Sequence, residues 1–347
     1  MGGYYSVVAL SQWWIEGSRY YGKAGIEYAM KQNPNKKWEN INFMMENMRK
    51  NNTNNNIKKN IIVTGANSGI GYQCALLLSK SGARVHMLCR NMERGQNALN
   101  KIKEETKNNN VYLHQVDISS RISINTFANN FFKDGQNDKV DVLINNAGVV
   151  MQERQVNEDG IEICFATAMG GTFLLSSLCL NSLKNANGRV INVSSGGMYL
   201  AKFWTKFIRI GMYKEKYDGL LAYVQSKRGQ VLLNRRWAEL LNNDNVIFQS
   251  YHPGWAATAG VKTSQMSWFY EKKENELRTD EEGADTAIWL ATSNDDEIVK
   301  KENNGSFWFD RTIAKENFPM AWTTNTKEDI DDLWNYCIEI FQHQPEI

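Results

Sequence analysis

Histidine and cysteine are scarce in this 347-residue chain, at four and five residues. The histidines are dispersed, so no cluster has the spacing of metal ligands. The cysteines (Cys74, Cys89, Cys164, Cys179, Cys337) lack paired spacing, and four fall inside expected helices or strands. They read as reduced core residues in a reducing, cytoplasmic compartment rather than as a disulfide framework. Charge of one sign is lacking too: 40 Lys+Arg against 38 Asp+Glu leave +2, which gives no case for nucleic acid. The N-terminal apolar segment is too short and interrupted to cross a bilayer, which needs roughly 18 apolar residues, and no basic stretch precedes it as in a signal peptide. With 42% hydrophobic and 22% charged residues, the remainder is ordinary for one large domain with extensions.

What the chain does have is alternation. Strand-like runs at Asn60–Val63, Arg84–Cys89, Val111–Val116, Asp141–Ile144, Val190–Val193, Val246–Ser250 and Phe307–Phe309 alternate with helical patterns, among them Met92 towards Lys107, Ile122–Phe132, Leu221–Leu241 and Asp280–Leu290. The expected fold is α/β: a Rossmann-type doubly wound parallel sheet, three-layer α/β/α, with right-handed crossovers and an N-terminal helical extension. A last amphipathic helix is expected near Thr326, burying Ile330, Leu333, Trp334, Cys337, Ile338 and Phe341. The chain divides into an extension over 1–50, an Asn-rich linker over 51–58 and a catalytic domain over 59–347, which carries an insertion at 200–219.

Three elements follow in fixed order: Thr64-Gly65-Ala66-Asn67-Ser68-Gly69-Ile70-Gly71, then Asn145-Asn146-Ala147-Gly148, then Tyr223-Val224-Gln225-Ser226-Lys227. The first lies between a strand and a helix. Its glycines let the backbone turn and approach a pyrophosphate, while free amides at the helix start supply partial positive charge. The spacing departs from Gly-x-Gly-x-x-Gly. Where the second strand ends, an acid would bind the ribose hydroxyls of NAD, whereas a cation accepts the additional phosphate of NADP. The residue there is Arg90, with Asn67 nearby, and Glu93, one turn into the next helix, is expected to point elsewhere. Tyr223 and Lys227 are four apart on a helix and share a face. A phenol with an ordinary pKa of about 10 becomes a useful acid–base group only beside positive charge, which Lys227 supplies.

With Arg189-Val190-Ile191-Asn192-Val193-Ser194-Ser195-Gly196-Gly197-Met198, His252-Pro253-Gly254-Trp255-Ala256 and Gly283-Ala284-Asp285-Thr286 added, the chain from about Lys59 to Asp310 resembles the short-chain dehydrogenase/reductase superfamily in its compact form. The resemblance implies catalysis by Ser195, Tyr223 and Lys227, with Ser194 as the alternative serine. It implies cofactor binding by Gly65, Asn67, Ser68, Gly69, Ile70, Gly71, Arg90, Asp117, Ile118, Asn146, Ala147, Gly148, Tyr223, Lys227, Pro253, Gly254 and Thr258. Asp117 would hold the adenine amine, and Pro253, Gly254 and Thr258 the nicotinamide carboxamide. Asn145 would tie adjacent strands together. One departure stands out. The family usually has an asparagine in Phe-Ala-x-Asn, supporting a water on the lysine, but this chain reads Phe165-Ala166-Thr167-Ala168. Gly170 and Gly171, each unfavourable by roughly 1 kcal/mol in a helix interior, imply a bend or close packing just beyond.

The reading that follows is an NADP-dependent oxidoreductase interconverting a carbonyl and an alcohol on a lipophilic small molecule. Its rival, favoured by Ala168, is a catalytically weak NADP-binding sensor or scaffold attached to a membrane. Relatives commonly pair through two long core helices, so a homodimer is expected unless the insertion and the N-terminal arm block it. The insertion carries Phe203, Trp204, Phe207, Ile208, Met212 and Tyr213 and reads as a substrate-covering flap, a satellite core or a partner surface. Tyr4, Val7, Leu10, Trp14 and Tyr21 recur at helical spacing, widened by Trp13 and Ile15. Met1-Gly2-Gly3-Tyr4-Tyr5-Ser6 fits a myristoylation pattern, so residues 1–21 are expected either to pack across the enzyme or to touch a membrane peripherally.

Overall fold

A computed structural model describes residues 5–32, 41, 45, 49–50, 58–135, 137–205, 208, 217–257, 267–293 and 296–347. Helices α1 (Val7–Glu16) and α2 (Lys23–Gln32) flank a π-helical turn, Gly17–Tyr21. Then come β1 (Asn60–Thr64), α3 (Gly69–Lys80), β2 (Arg84–Cys89), α4 (Met92–Thr106), β3 (Val111–Gln115), α5 (Arg121–Phe131) and β4 (Val142–Asn145). Helix α6 (Ile163–Met169) continues as a π-helical turn, Gly170–Leu175, and is followed by α7 (Leu180–Ala186) and β5 (Arg189–Val193). The rest is α8 (Gly219–Leu240), β6 (Ile247–Tyr251), α9 (Ser267–Lys273), α10 (Asp280–Thr292), β7 (Phe307–Phe309), β8 (Thr312–Ile313) and α11 (Lys327–Phe341).

The strands form one eight-stranded sheet in the order β3-β2-β1-β4-β5-β6-β7-β8, parallel except for the β7–β8 pair. This is the doubly wound Rossmann-type arrangement. The short antiparallel β8 has no counterpart in the sequence pattern, being only two residues long. The central strands are buried throughout, with apolar interiors, because both faces are covered. Ile61, Val63, Val142 and Ile144 enter the core under α3, α4 and α10; Ile62, Leu143 and Val190 point to the core under α5, α6, α8 and α11. All five cysteines are free and buried. Among the described residues, no single helix is long and apolar enough to cross a membrane.

Capping fixes the ends that matter. Asp218 accepts from Leu221 N–H and starts α8. Capping boxes at Thr279 and Thr326 start α10 and α11. In α11, Ile330, Leu333, Trp334, Cys337 and Phe341 are buried, whereas Ile338 is only partly covered. The order reverses between β1 and β4, and the crevice outside their carboxyl ends is where a ligand binds in sheets of this kind.

Candidate active site

At that crevice lies a cavity of about 480 Å³. Its floor is the glycine turn after β1. Gly65 and Gly69 have φ of +65° and +60°, and a β carbon on Gly71 would stand 2.3 Å from Asn146 Nδ2 and 2.4 Å from Gly65 O. Only glycine lets the turn close this tightly. Asn146 holds it, donating from Nδ2 to Thr64 O at 3.0 Å, while Thr64 Oγ1 accepts from the Asn146 and Ala147 amides at 3.0 and 2.9 Å. Ser68 precedes α3 without a side-chain cap, so the first amides of that helix face the cavity unengaged by it. The cradle fits a pyrophosphate.

Gly65, Asn67, Ser68, Gly69, Ile70, Asp117, Ile118, Asn146, Ala147, Gly148, Pro253 and Gly254 all line the cavity. Gly71 lies behind the wall, and Thr258 lies outside the described residues. Arg90 lines it at the end of β2, two-thirds exposed and 3.7 Å from Asp117 Oδ2. The other oxygen of Asp117 accepts from Ser119 N–H and Oγ–H. Sequence reasoning missed Asn91 and Arg94, which also line the cavity. Asn91 caps α4 by accepting from Arg94 N–H at 2.8 Å, so the first turn of α4 puts Arg94 on the cavity lining that Arg90 shares. Glu93 is not among the lining residues.

At the other end, Ser195, Tyr223 and Lys227 share one wall. Ser195 Oγ accepts from Gly197 N–H at 3.1 Å, and Ser195 Oγ and the Tyr223 ring both stand beside Gly197, 3.4 and 3.7 Å from where its β carbon would be. Burial pushes the Tyr223 phenol up, and the neighbouring Ser195 hydroxyl pulls it back. Lys227 Nζ lies 5.7 Å from the Tyr223 ring centroid, and burial pushes its pKa down to about 8. Ser194 is a brace: its Oγ–H donates to Lys227 O at 2.8 Å, holding α8 on β5. Asn145 does tie the strands, donating to Asn192 Oδ1 at 2.9 Å, and Asn192 in turn donates to Asn234 on α8. Ala168 is buried. A β carbon on Gly170 would fall 2.0 Å from Ile118 O, so the π-helical turn is the close packing that the paired glycines implied.

The apolar end of the cavity has no local signal in the sequence. Its wall comes from the N-terminal arm and α9: Leu10, Trp13, Trp14, Trp268 and Phe269 line the cavity with Trp255. The arm is bolted to the loop after β6. Trp255 N–H donates to Tyr21 O at 2.7 Å, and Arg278 donates to Tyr20 O and Gly22 O while gripping Asp310 with both terminal nitrogens. Gly17 is required here, since a β carbon would fall 2.0 Å from Trp255 Cζ2. At the arm's other end, Tyr5 donates to Asp218, the cap of the Tyr223 helix. Thus the arm packs across the enzyme body, leaving Val7 and Ile15 exposed. Of the insertion, Leu200 lines the cavity, but Phe203 is fully buried in the core, 6.5 Å from Phe165. Ile208 is buried as well. Phe207, Met212 and Tyr213 lie outside the described residues, as do residues 51–57 of the Asn-rich linker and residues 1–4 of the myristoylation motif.

Comparison with known proteins places this geometry. The family profile described as short chain dehydrogenase matches residues 59–205. Human dehydrogenase/reductase SDR family member 12 is 35% identical over 92% of this chain and 94% of its own length. Human retinol dehydrogenase 12 is 32% identical over 81% of this chain and 86% of its own. Among solved structures, salutaridine reductase from Papaver somniferum superposes with a TM-score of 0.56 at 20% identity, covering 72% of this chain and 99% of that one. NADPH-bound carbonyl reductase from chicken fatty liver gives 0.54 at 23%, covering 72% and 95%.

Proposed function

Because the chain belongs to the short-chain dehydrogenase/reductase family, we propose that it is an NADP-dependent oxidoreductase interconverting a lipophilic carbonyl compound and its alcohol. The observation that carries this reading is the convergence of Ser195, Tyr223 and Lys227 on the lining of the cavity that also holds the glycine cradle. Arg90 and Arg94 favour NADP over NAD, since two guanidiniums suit an additional phosphate. The aromatic wall favours a lipophilic substrate, and the relatives named for retinol are of that class.

When bound, the cofactor would supply or accept the hydride. Gly65 to Ile70, Asp117 and Asn146 to Gly148 would hold it, with Pro253 and Gly254 at its reactive end. The chain's own residues handle the oxygen and the proton. Ser195 donates a hydrogen bond to the substrate oxygen and fixes it beside the phenol. Tyr223 gives that oxygen a proton during reduction and takes it back during oxidation. The Lys227 ammonium stabilises the phenolate left behind, offsetting the burial that raises the phenol. Trp13, Trp14 and Phe269 exclude water from the apolar side.

The test is an NADPH-consumption screen over retinoids, steroids, fatty aldehydes and quinones, run beside Tyr223→Phe. Turnover that falls by about 10²-fold or more in the variant, with NADPH binding kept, supports the enzyme. Tight NADPH binding with no turnover by either protein supports the rival cofactor-binding sensor, which Ala168 favours. The proposal extends to peripheral membrane contact by the cavity rim: Val7 and Trp268 are 77% and 52% exposed, and Lys272 lies 5.0 Å over the Trp14 ring. Co-sedimentation with phosphatidylserine vesicles, abolished by Val7→Asp with Trp268→Asp, is the expected result; no sedimentation of the unaltered protein removes the extension.

A further inference from the structure

Lys227 is held by more than the motif that contains it. Its ammonium donates to Val193 O at 2.7 Å and to Gln230 Oε1 at 2.9 Å. An ammonium has three N–H groups, so one remains for the cavity. Gln230 follows three residues later on α8, on the same face, and is 1% exposed. Its orientation is set from both sides. Lysine can only donate, so the amide oxygen must face it, and the amide nitrogen donates to Thr172 Oγ1 at 3.0 Å. Thr172 is fully buried in the π-helical turn that continues α6, four residues beyond Ala168, whose side chain has nothing polar to offer. Its carbonyl accepts from Trp237 Nε1–H at 2.9 Å, which pins the turn to α8.

We propose that Gln230, oriented by Thr172, is a positioning residue that keeps the Lys227 ammonium charged and in place beside Tyr223. Neither Gln230 nor Thr172 touches the cavity, so both act through the lysine. Burial disfavours the ammonium, and two oxygen acceptors oppose that loss. Without the Gln230 oxygen the amine is neutral more of the time, and the phenolate of Tyr223 loses its stabilising charge. Cys164, on α6, is the titratable neighbour that bears on both groups; burial and Glu162 push its thiol up to about 12, so it stays neutral. The inference rests on Tyr223 being the acid–base residue.

The experiment is an NMR titration of the Lys227 side chain, its resonance assigned by its loss in Lys227→Met, with and without NADP⁺. In Gln230→Met, which keeps the side-chain volume but no acceptor, the Lys227 midpoint falls by about one pH unit. NADP⁺ affinity stays within about threefold, because the third ammonium N–H still faces the cavity. Thr172→Val keeps the carbonyl that Trp237 uses and shifts the midpoint the same way by less, which covers the case in which Gln230→Met fails to fold. A midpoint unmoved in the folded variants overturns the role of Gln230. Undiminished turnover by Tyr223→Phe instead overturns the acid–base assignment beneath it, so the two failures are distinguishable.

Discussion

The two halves of the cavity are made by different means. The half proposed for the dinucleotide is backbone: a turn between β1 and α3, closed by Gly65, Gly69 and Gly71, with the ends of neighbouring parallel strands beside it. The half proposed for the substrate is side chains: Leu10, Trp13 and Trp14 from one end of the chain meet Trp255 and Phe269 from far along it. Backbone sites depend on local conformation and tolerate few residue types. Side-chain walls depend on which distant segments dock, and many apolar residues would serve.

The contrast can be broken most severely at Gly71. Its substitution by alanine puts a methyl group against Asn146 Nδ2 and Gly65 O, both fixed by the turn. NADPH affinity should drop by about 10²-fold or more, measured by fluorescence titration. Near-normal binding would mean that the cradle is not the phosphate site. Next in size is Arg90→Ala with Arg94→Ala. Loss of charge-assisted contacts, each about 1.5–3 kcal/mol, should weaken NADPH at least tenfold and leave NADH unchanged, read as the ratio of the two dissociation constants. A ratio that does not move would place the cofactor's additional phosphate elsewhere.

Gly17→Ala strikes the other half. The methyl group collides with Trp255, so thermal unfolding should report about 1–3 kcal/mol of destabilisation, with a raised KM for the carbonyl and NADPH affinity within a few-fold. If cofactor affinity fell as far as KM rose, the two halves would not be separable. The remaining effect is a pH dependence. Folding lowers the Lys227 pKa from 10.5 to about 8, so between those values the unfolded chain binds a proton that the folded one lacks, and stability rises with pH across that window. Lys227→Met abolishes the term. Its stability relative to the unaltered protein should therefore fall between pH 8 and 10.5, by at most about 3 kcal/mol, in urea unfolding at matched pH.

This difference in construction also sets what could be read from the residues alone. The β1 run and its glycines are a local pattern, and so is Tyr223 with Lys227 on one helical face. The sheet followed from alternation, with both ends displaced by one residue at β4 and β6 and one end at β1, β3 and β5, since strand boundaries are set by the ladder hydrogen bonds and not by the apolar run. Gly170 and Gly171 announced a bend that is the π-helical turn. Arg94 could have been found, since Asn91 is a good cap and the first helical turn points back at the strand end. Gln230 could not, because its meaning depends on Thr172 across an interhelical contact. Nor could the arm: Trp13 and Trp14 show an apolar face, but nothing local says that the face covers an active site. For the same reason the residues of the insertion left flap, core and partner surface open: Phe203 fills the core and does not line the cavity.

The central claim is that one cavity takes the dinucleotide on its backbone side and presents the reactive end to Tyr223, Lys227 and Ser195. A crystal structure with NADP⁺ at saturating concentration tests it most directly. The account predicts the pyrophosphate on the α3 amides, the additional phosphate between Arg90 and Arg94, and the nicotinamide ring between Tyr223 and Pro253 with the arm still in place. A dinucleotide bound elsewhere, or Trp13 standing where the nicotinamide should lie, would contradict it.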